Sequence, residues 1–191
     1  MAKRNIVERY SRADVRKRVE IILDNYGMFN RILDGYEQSL SIVIRNERDF
    51  NRKRKLGDSG IRVQTFNISD ITAQTAIDNV TIQQAIHEGD WFAATKSADN
   101  LGKHRLEIET ILQMRDDYGI VTGQLSVLQK EEYDLYLPYI NGEKGCFEIA
   151  ADEGISPDAV KMRLHRYRTI VKESSIPFME CITETALEKC A

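Results

Sequence analysis

Ser156, Asp158, Lys161, Met162, Arg163, His165, Arg166, Arg168 and Lys172 crowd into one short stretch near the C-terminus. These residue types at this spacing suit recognition of a polyanion rather than bond-breaking. Lys161 can donate to the acceptor edge of guanine, and Asp158 can accept from the amino group of cytosine. Arg163, Arg166, Arg168 and Lys172 supply the charge that grips phosphates. Such chemistry needs a rigid rod that turns these side chains outward together, and the sequence predicts one over about Pro157–Lys172. Ser156 is a strong N-cap, and Pro157 takes the first helical position, where its missing N–H does no harm. Val160, Leu164, Tyr167 and Val171 recur at three- and four-residue spacing and are expected to face inward. A basic amphipathic helix alone is as readily a solvated face, so what precedes it decides the reading.

What precedes it is an ordered set. A first helix is predicted from Ser126, with Leu128, Leu135 and Tyr139 inward and with Glu131 and Glu132 near its start, where they suit the helix dipole. Pro138 should bend or end it. Asn141-Gly142 reads as a stop. A short helix follows over about Gly145–Asp152, carrying Phe147, Ile149, Ala150 and Ala151, with Cys146 packed in the core. Ala150 is small enough for a close helix crossing. Gly154 can take the left-handed conformation of a sharp interhelical turn, and Ile155 can drop beneath it. Small residue, glycine turn, apolar residue and capped basic helix in this order carry more information than any one of them.

The rest of the chain also reads as helix. Val15, Val19, Ile22, Leu23 and Tyr26 share one face, with Arg12, Arg16, Lys17 and Glu20 largely opposite. Gly27 and Gly35 are candidate breaks, after which Leu40, Val43 and Ile44 resume the pattern. Asn51–Asn67 reads as a linker, holding Arg52-Lys53-Arg54-Lys55 and Gly57-Asp58-Ser59-Gly60. It is a solvated loop or, more sharply, a phosphate-contacting arm. Ser69 or Asp70 caps a helix over Ile71–Glu88. A further helix is predicted from Gly89-Asp90 to about Tyr118, with Ala94, Ala98, Leu101, Ile108 and Leu112 as a heptad-like seam interrupted by Arg105. That seam serves a core or a dimer. Trp91 and Phe92 read as core anchors, Asp116-Asp117 as a solvated helix end, and Gly119 and Gly123 as flanking a connector at a domain boundary. Phe178, Ile182 and Ala186 predict a separate amphipathic tail helix, started by Pro177 and packing on the core or on a partner. The expected divisions are 1–50, 51–68, 69–119, 120–173 and 174–191.

Composition restricts the function classes. The 191 residues include 27 Lys and Arg against 30 Asp and Glu, a net charge of −3, so any polyanion contact must use a local face. The charge is indeed uneven: positive through Arg62, negative from Val63 to Glu143, and mildly positive over Gly145–Lys172. Helix formers dominate and alternating runs are scarce, so the fold class expected is all-α. No apolar run approaches the ~20 residues of a membrane span. Cys146, Cys181 and Cys190 form no Cys-x-x-Cys pair, which suits reduced thiols in a cytoplasmic protein. No phosphate-binding glycine loop is present, and His87, His104 and His165 lack metal-ligand spacing. The expectation is a protein without cofactor, metal or catalytic residues.

Two resemblances build on these residues. Leu128-Gln129-Lys130-Glu131-Glu132 through Gly142, then Glu148-Ile149-Ala150, Gly154-Ile155-Ser156 and Ala159-Val160-Lys161-Met162-Arg163-Leu164-His165-Arg166, resemble region 4 of bacterial sigma factors. The likeness covers roughly a quarter of the chain. Pro138 and a slightly longer Gly142–Phe147 stretch depart from it. It implies a helix-turn-helix whose second helix binds promoter DNA and whose other surfaces meet the RNA polymerase β-flap. Over more of the chain, Val19-Glu20-Ile21-Ile22-Leu23-Asp24-Asn25-Tyr26, Gly57–Gly60 and Asp70-Ile71-Thr72-Ala73-Gln74-Thr75-Ala76-Ile77 resemble phage late-gene regulators of the RinA/ArpU type. Those too end in a sigma-region-4-like module. Nothing resembles the sigma melting module.

Together these readings lead to a transcription regulator of phage or mobile-element origin, binding double-stranded DNA, with RNA polymerase and a second copy of itself as further partners. A sigma-like polymerase partner, a DNA-packaging adaptor of the small-terminase kind and a helical interaction protein are the competing expectations.

Overall fold

The computed structural model describes residues 6–56 and 71–188. Among them the fold is all-α, and no strand occurs. The helices are α1 (Ile6–Ser11), α2 (Val15–Asp24), α3 (Phe29–Leu56), α4 (Ile71–Glu88), α5 (Trp91–Thr95), α6 (Leu101–Gln124), α7 (Lys130–Ile140), α8 (Cys146–Glu153) and α9 (Pro157–Glu188), with single 3₁₀ turns at Tyr26–Met28 and Leu125–Val127. No helix among the described residues is long and apolar enough to cross a membrane. The chain divides into two compact units, one of Met1–Arg31 with Met114–Ala191, the other of Ile32–Gln113.

In the first unit, α2 and α8 pack on α9, with α7 and the Leu125–Val127 turn beside it. Asp14 caps α2 by accepting from the Lys17 N–H at 2.7 Å. Val19, Ile22 and Leu23 of α2 are buried, as are Val160, Leu164, Tyr167, Val171, Ile176 and Met179 of α9. Each such side chain contributes roughly 1.5–3 kcal/mol. A buried polar cluster joins this core. The Tyr10 hydroxyl donates to Asp117 at 2.6 Å, and Arg18 reaches the same carboxylate at 3.5 Å. Burial raises the Asp117 pKa, while the Tyr10 hydrogen bond and Arg18 pull it back. Asp117 is therefore not the solvated helix end that its position beside Asp116 suggested. Helical periodicity turns two adjacent residues to different faces, and only Asp117 faces the core.

Other local expectations shift as well. Gly119 and Gly123 do not form a connector: α6 continues through both. The cost of about 1 kcal/mol per helical glycine is offset where flanking residues such as Met114 and Val121 are buried. α7 starts at Lys130 rather than Ser126, with Glu132 accepting from the Gln129 N–H at 3.2 Å. Leu128 is buried as expected, but Tyr136 rather than Tyr139 is the inward tyrosine, meeting Tyr167 edge-on at 6.1 Å. Pro138 is accommodated inside α7. Gly27 sits in the Tyr26–Met28 turn, where a β-carbon would lie 2.5 Å from the Asn141 carbonyl oxygen, so only glycine fits. α9 runs unbroken through Pro177, so there is no separate tail helix. Proline removes one hydrogen bond, to Glu173, and the buried Ile176 and Met179 on either side hold the helix in register. Phe178, expected to pack on the core or on a partner, is exposed. The side chains of Ile182 and Ala186 lie outside the described residues.

In the second unit, α4 spans the predicted residues and packs on α5. Leu40, Ile44, Ile82, Ile86, Ala94, Ile108 and Ile111 are buried, whereas Val43 is exposed. The predicted continuous helix from Gly89 to Tyr118 is interrupted between α5 and α6, where Ser97 and Asn100 adopt φ of 65° and 52°. The seam changes accordingly: Ala94 and Ile108 are buried as expected, Leu101 is exposed, and His104, Thr110 and Ile111 are buried in addition. Phe92 is 70% exposed, so only Trp91 is anchored, under the Arg105 guanidinium at 4.9 Å. Asn51–Leu56 belongs to α3 rather than to a linker, and the Asn51 amide donates to the Ser97 carbonyl and to Asp99. Arg52 pairs with Asp49. Gly57–Gly60 and the Ser69/Asp70 cap lie outside the described residues.

Candidate nucleic-acid interface

α8 and α9 meet at a turn the sequence specifies closely. Gly154 ends α8 with φ 64°, a conformation open to glycine at no steric cost. The Ile155 N–H returns to the Ala150 carbonyl at 3.1 Å, closing the helix end. Ser156 then caps α9, its hydroxyl accepting from the Ala159 N–H at 3.3 Å. Ile149 and Ala150 are buried beneath, and Lys144 clips the preceding connector to α8 through Asp152 at 2.7 Å. Phe147 is not part of this core, being 74% exposed, and Cys146 is half-buried.

With Val160, Leu164 and Tyr167 inward, the opposite face of the first turns of α9 presents Asp158, Lys161, Met162, Arg163, His165 and Arg166 to solvent. Met162 is 75% exposed at its middle. Lys161 is restrained by Asp158, one turn back, at 3.0 Å. The Arg163 and His165 side chains make no hydrogen bond or ion pair with the described residues. Arg166 pairs with Glu132 of α7 and lies over the Tyr167 ring at 5.3 Å.

The remaining two cations of the predicted set behave differently. Arg168 donates to Asp24 at 2.6 Å, and Lys172 donates to Glu20 at 2.7 Å. Their side chains are only 32% and 22% exposed. A third contact joins Arg16 to Glu173 at 3.1 Å. As numbers rise along α2 they fall along α9, so the two helices run antiparallel and their charges form a ladder. The Lys172 hydrogen bond and its positive charge hold Glu20 below the usual carboxylate range. Arg168 and Lys172, read from sequence as phosphate grips, are thus committed to α2. The signal for this was present in Glu20 and Asp24, spaced one turn apart on α2, but their partners are more than a hundred residues away.

The exposed stretch thus combines two donors without partners among the described residues, one donor held by an aspartate one turn back, one arginine shared with Glu132, and an apolar tip. This set can hydrogen-bond base edges and pair with phosphates. Among the described residues no cluster of three or more His, Cys, Asp or Glu could hold a metal. No family model matches the chain, and no curated protein or solved structure matches it at the level of significance required.

Proposed function

We propose that this chain is a DNA-binding transcription regulator that reads duplex DNA through the N-terminal turns of α9. The carrying observation is the exposed row Lys161, Met162, Arg163, His165 and Arg166 on a helix whose opposite face is buried and whose start is fixed by Gly154 and Ser156. A rod held this firmly from behind needs no ordering of its backbone to present these side chains, as a major-groove reader must. On this reading α8 crosses the backbone and α9 is the recognition helix of a helix-turn-helix. The likeness to sigma region 4 and to phage late-gene regulators supports a late-gene activator of phage or mobile-element origin, with RNA polymerase as a further partner.

The test is selection of binding sites from a random duplex pool with the full chain, followed by affinity measurement on the selected site. The double substitution Lys161→Ala, Arg163→Ala is expected to weaken that site by roughly 10- to 100-fold, the scale of one or two lost base or phosphate contacts. Selection that yields no sequence preference overturns the proposal.

A further inference from the structure

A second cationic surface in the first unit lies outside the row just described. Glu8, Arg9, Arg12, Ala13, Lys17 and Ile21 line a groove of about 210 Å³ between α1 and α2. Its wall is apolar at Ala13 and Ile21, and its rim is charged. The Arg9 side chain makes no ion pair or hydrogen bond with the described residues. Among the described residues Arg12 is bound only to Glu8, one turn back, at 3.0 Å, and Lys17 only loosely to Glu20 at 3.7 Å. Both cations are well exposed, unlike Arg168 and Lys172. Exposed local ion pairs of this kind contribute roughly 0–1 kcal/mol, so exchanging a carboxylate for a phosphate costs little. None of the cations at the rim is buried, and no buried polar group lines the groove, so nothing shapes it around a single small anion. A polymer of phosphates, by contrast, gains from every cation it meets, through release of its condensed counterions.

We infer that the α1–α2 groove is a sequence-independent contact for the phosphate backbone of DNA, separate from the reading face of α9. The inference rests on the proposed DNA-binding function, and it assigns the backbone grip to Arg9, Arg12 and Lys17 in place of the committed Arg168 and Lys172.

The experiment measures fluorescence anisotropy of a random-sequence duplex with the full chain over a salt series. Each neutralised phosphate contributes a slope of about 0.9 in the log–log plot. The triple substitution Arg9→Ala, Arg12→Ala, Lys17→Ala is expected to reduce the slope by about 2 to 3, with the sequence preference of the selected site retained. Glu8→Gln, which removes the rim's competing carboxylate, is expected to strengthen random-duplex binding about twofold, the worth of an exposed pair. Opposite signs in the two variants exclude a folding defect as the cause. An unchanged slope in the triple variant, with the wild type binding its selected site, overturns the groove alone. No salt-dependent binding of the wild type to any duplex overturns the groove and the DNA-binding reading together. Loss of binding to mixed phosphatidylserine–phosphatidylcholine vesicles, with duplex binding intact, would reassign the groove to a membrane surface and also overturn it.

Discussion

Two successive stretches in the N-terminal half of α9 carry similar sequence and do different things. In the first three turns, Lys161, Arg163, His165 and Arg166 face solvent. In the following turns, Arg168 and Lys172 face α2 and are neutralised by Asp24 and Glu20. Both stretches are basic and amphipathic, with the same inward spacing of apolar residues. The difference is the neighbour: an acidic edge of α2 lies along the second stretch and not along the first. Positive charge on a helix is therefore a reserve whose use depends on what the fold lays beside it, and counting cations overstates the surface available to a polyanion.

This contrast can be broken at its root. α2 is anchored by the buried contact of Arg18 with Asp117 as well as by its apolar face. Asp117→Ala removes the buried carboxylate shared by Tyr10 and Arg18, and we expect a loss of about 3–5 kcal/mol in urea unfolding, the range for a broken buried pair. A loss below 1 kcal/mol would mean that the cluster does not hold α2 in place.

A smaller effect separates the two stretches directly. Arg168→Ala is expected to lower stability by about 1 kcal/mol or less, because its pair is partly solvated, and to leave affinity for the selected DNA site within about twofold. Lys161→Ala with Arg163→Ala is expected to do the reverse, changing affinity and not the melting temperature. Equal loss of affinity in both variants would erase the distinction between the two stretches.

Glu132→Gln tests the intermediate case, Arg166. Freeing this arginine from its carboxylate is expected to raise random-duplex affinity a few-fold at low salt, by about the free energy of one ion pair. The rise should vanish in the double variant with Arg166→Ala. A rise that persists there would place its origin elsewhere.

The smallest effect is a pH dependence. Glu20 titrates below the ordinary value of 4.5 because Lys172 stabilises its charge. Its contribution is therefore present above that value and is lost as the pH falls through the lower, folded-state value. The difference in melting temperature between wild type and Glu20→Gln should be small near neutrality and shrink toward zero on acidification. A difference that grows in acid would contradict the ladder.

Much of this molecule can be read locally. The all-α class, the Ile71–Glu88 helix, the Gly154 turn, the Ser156 cap and the inward row Val160, Leu164, Tyr167, Val171 all follow from short-range chemistry: propensity, capping and 3.6-residue periodicity. These act within a few residues, so sequence spacing carries them. Even so, Gly119 and Gly123 misled, because a helix can absorb two glycines when its neighbours are buried. Pro177 misled in the same way.

Long-range pairing is where local reading stops. Asp117 looked like a solvated end and is buried against Tyr10 and Arg18, from the other end of the chain. Arg168 and Lys172 looked like free grips and are held by Asp24 and Glu20, roughly 150 residues away. The order of residues settles which face of each helix is apolar and where each helix begins, since those preferences are properties of the segment. Which charged faces meet one another, and so which cations are left for a ligand, is settled by packing. An ion pair depends on distance in space, which no spacing along the chain encodes.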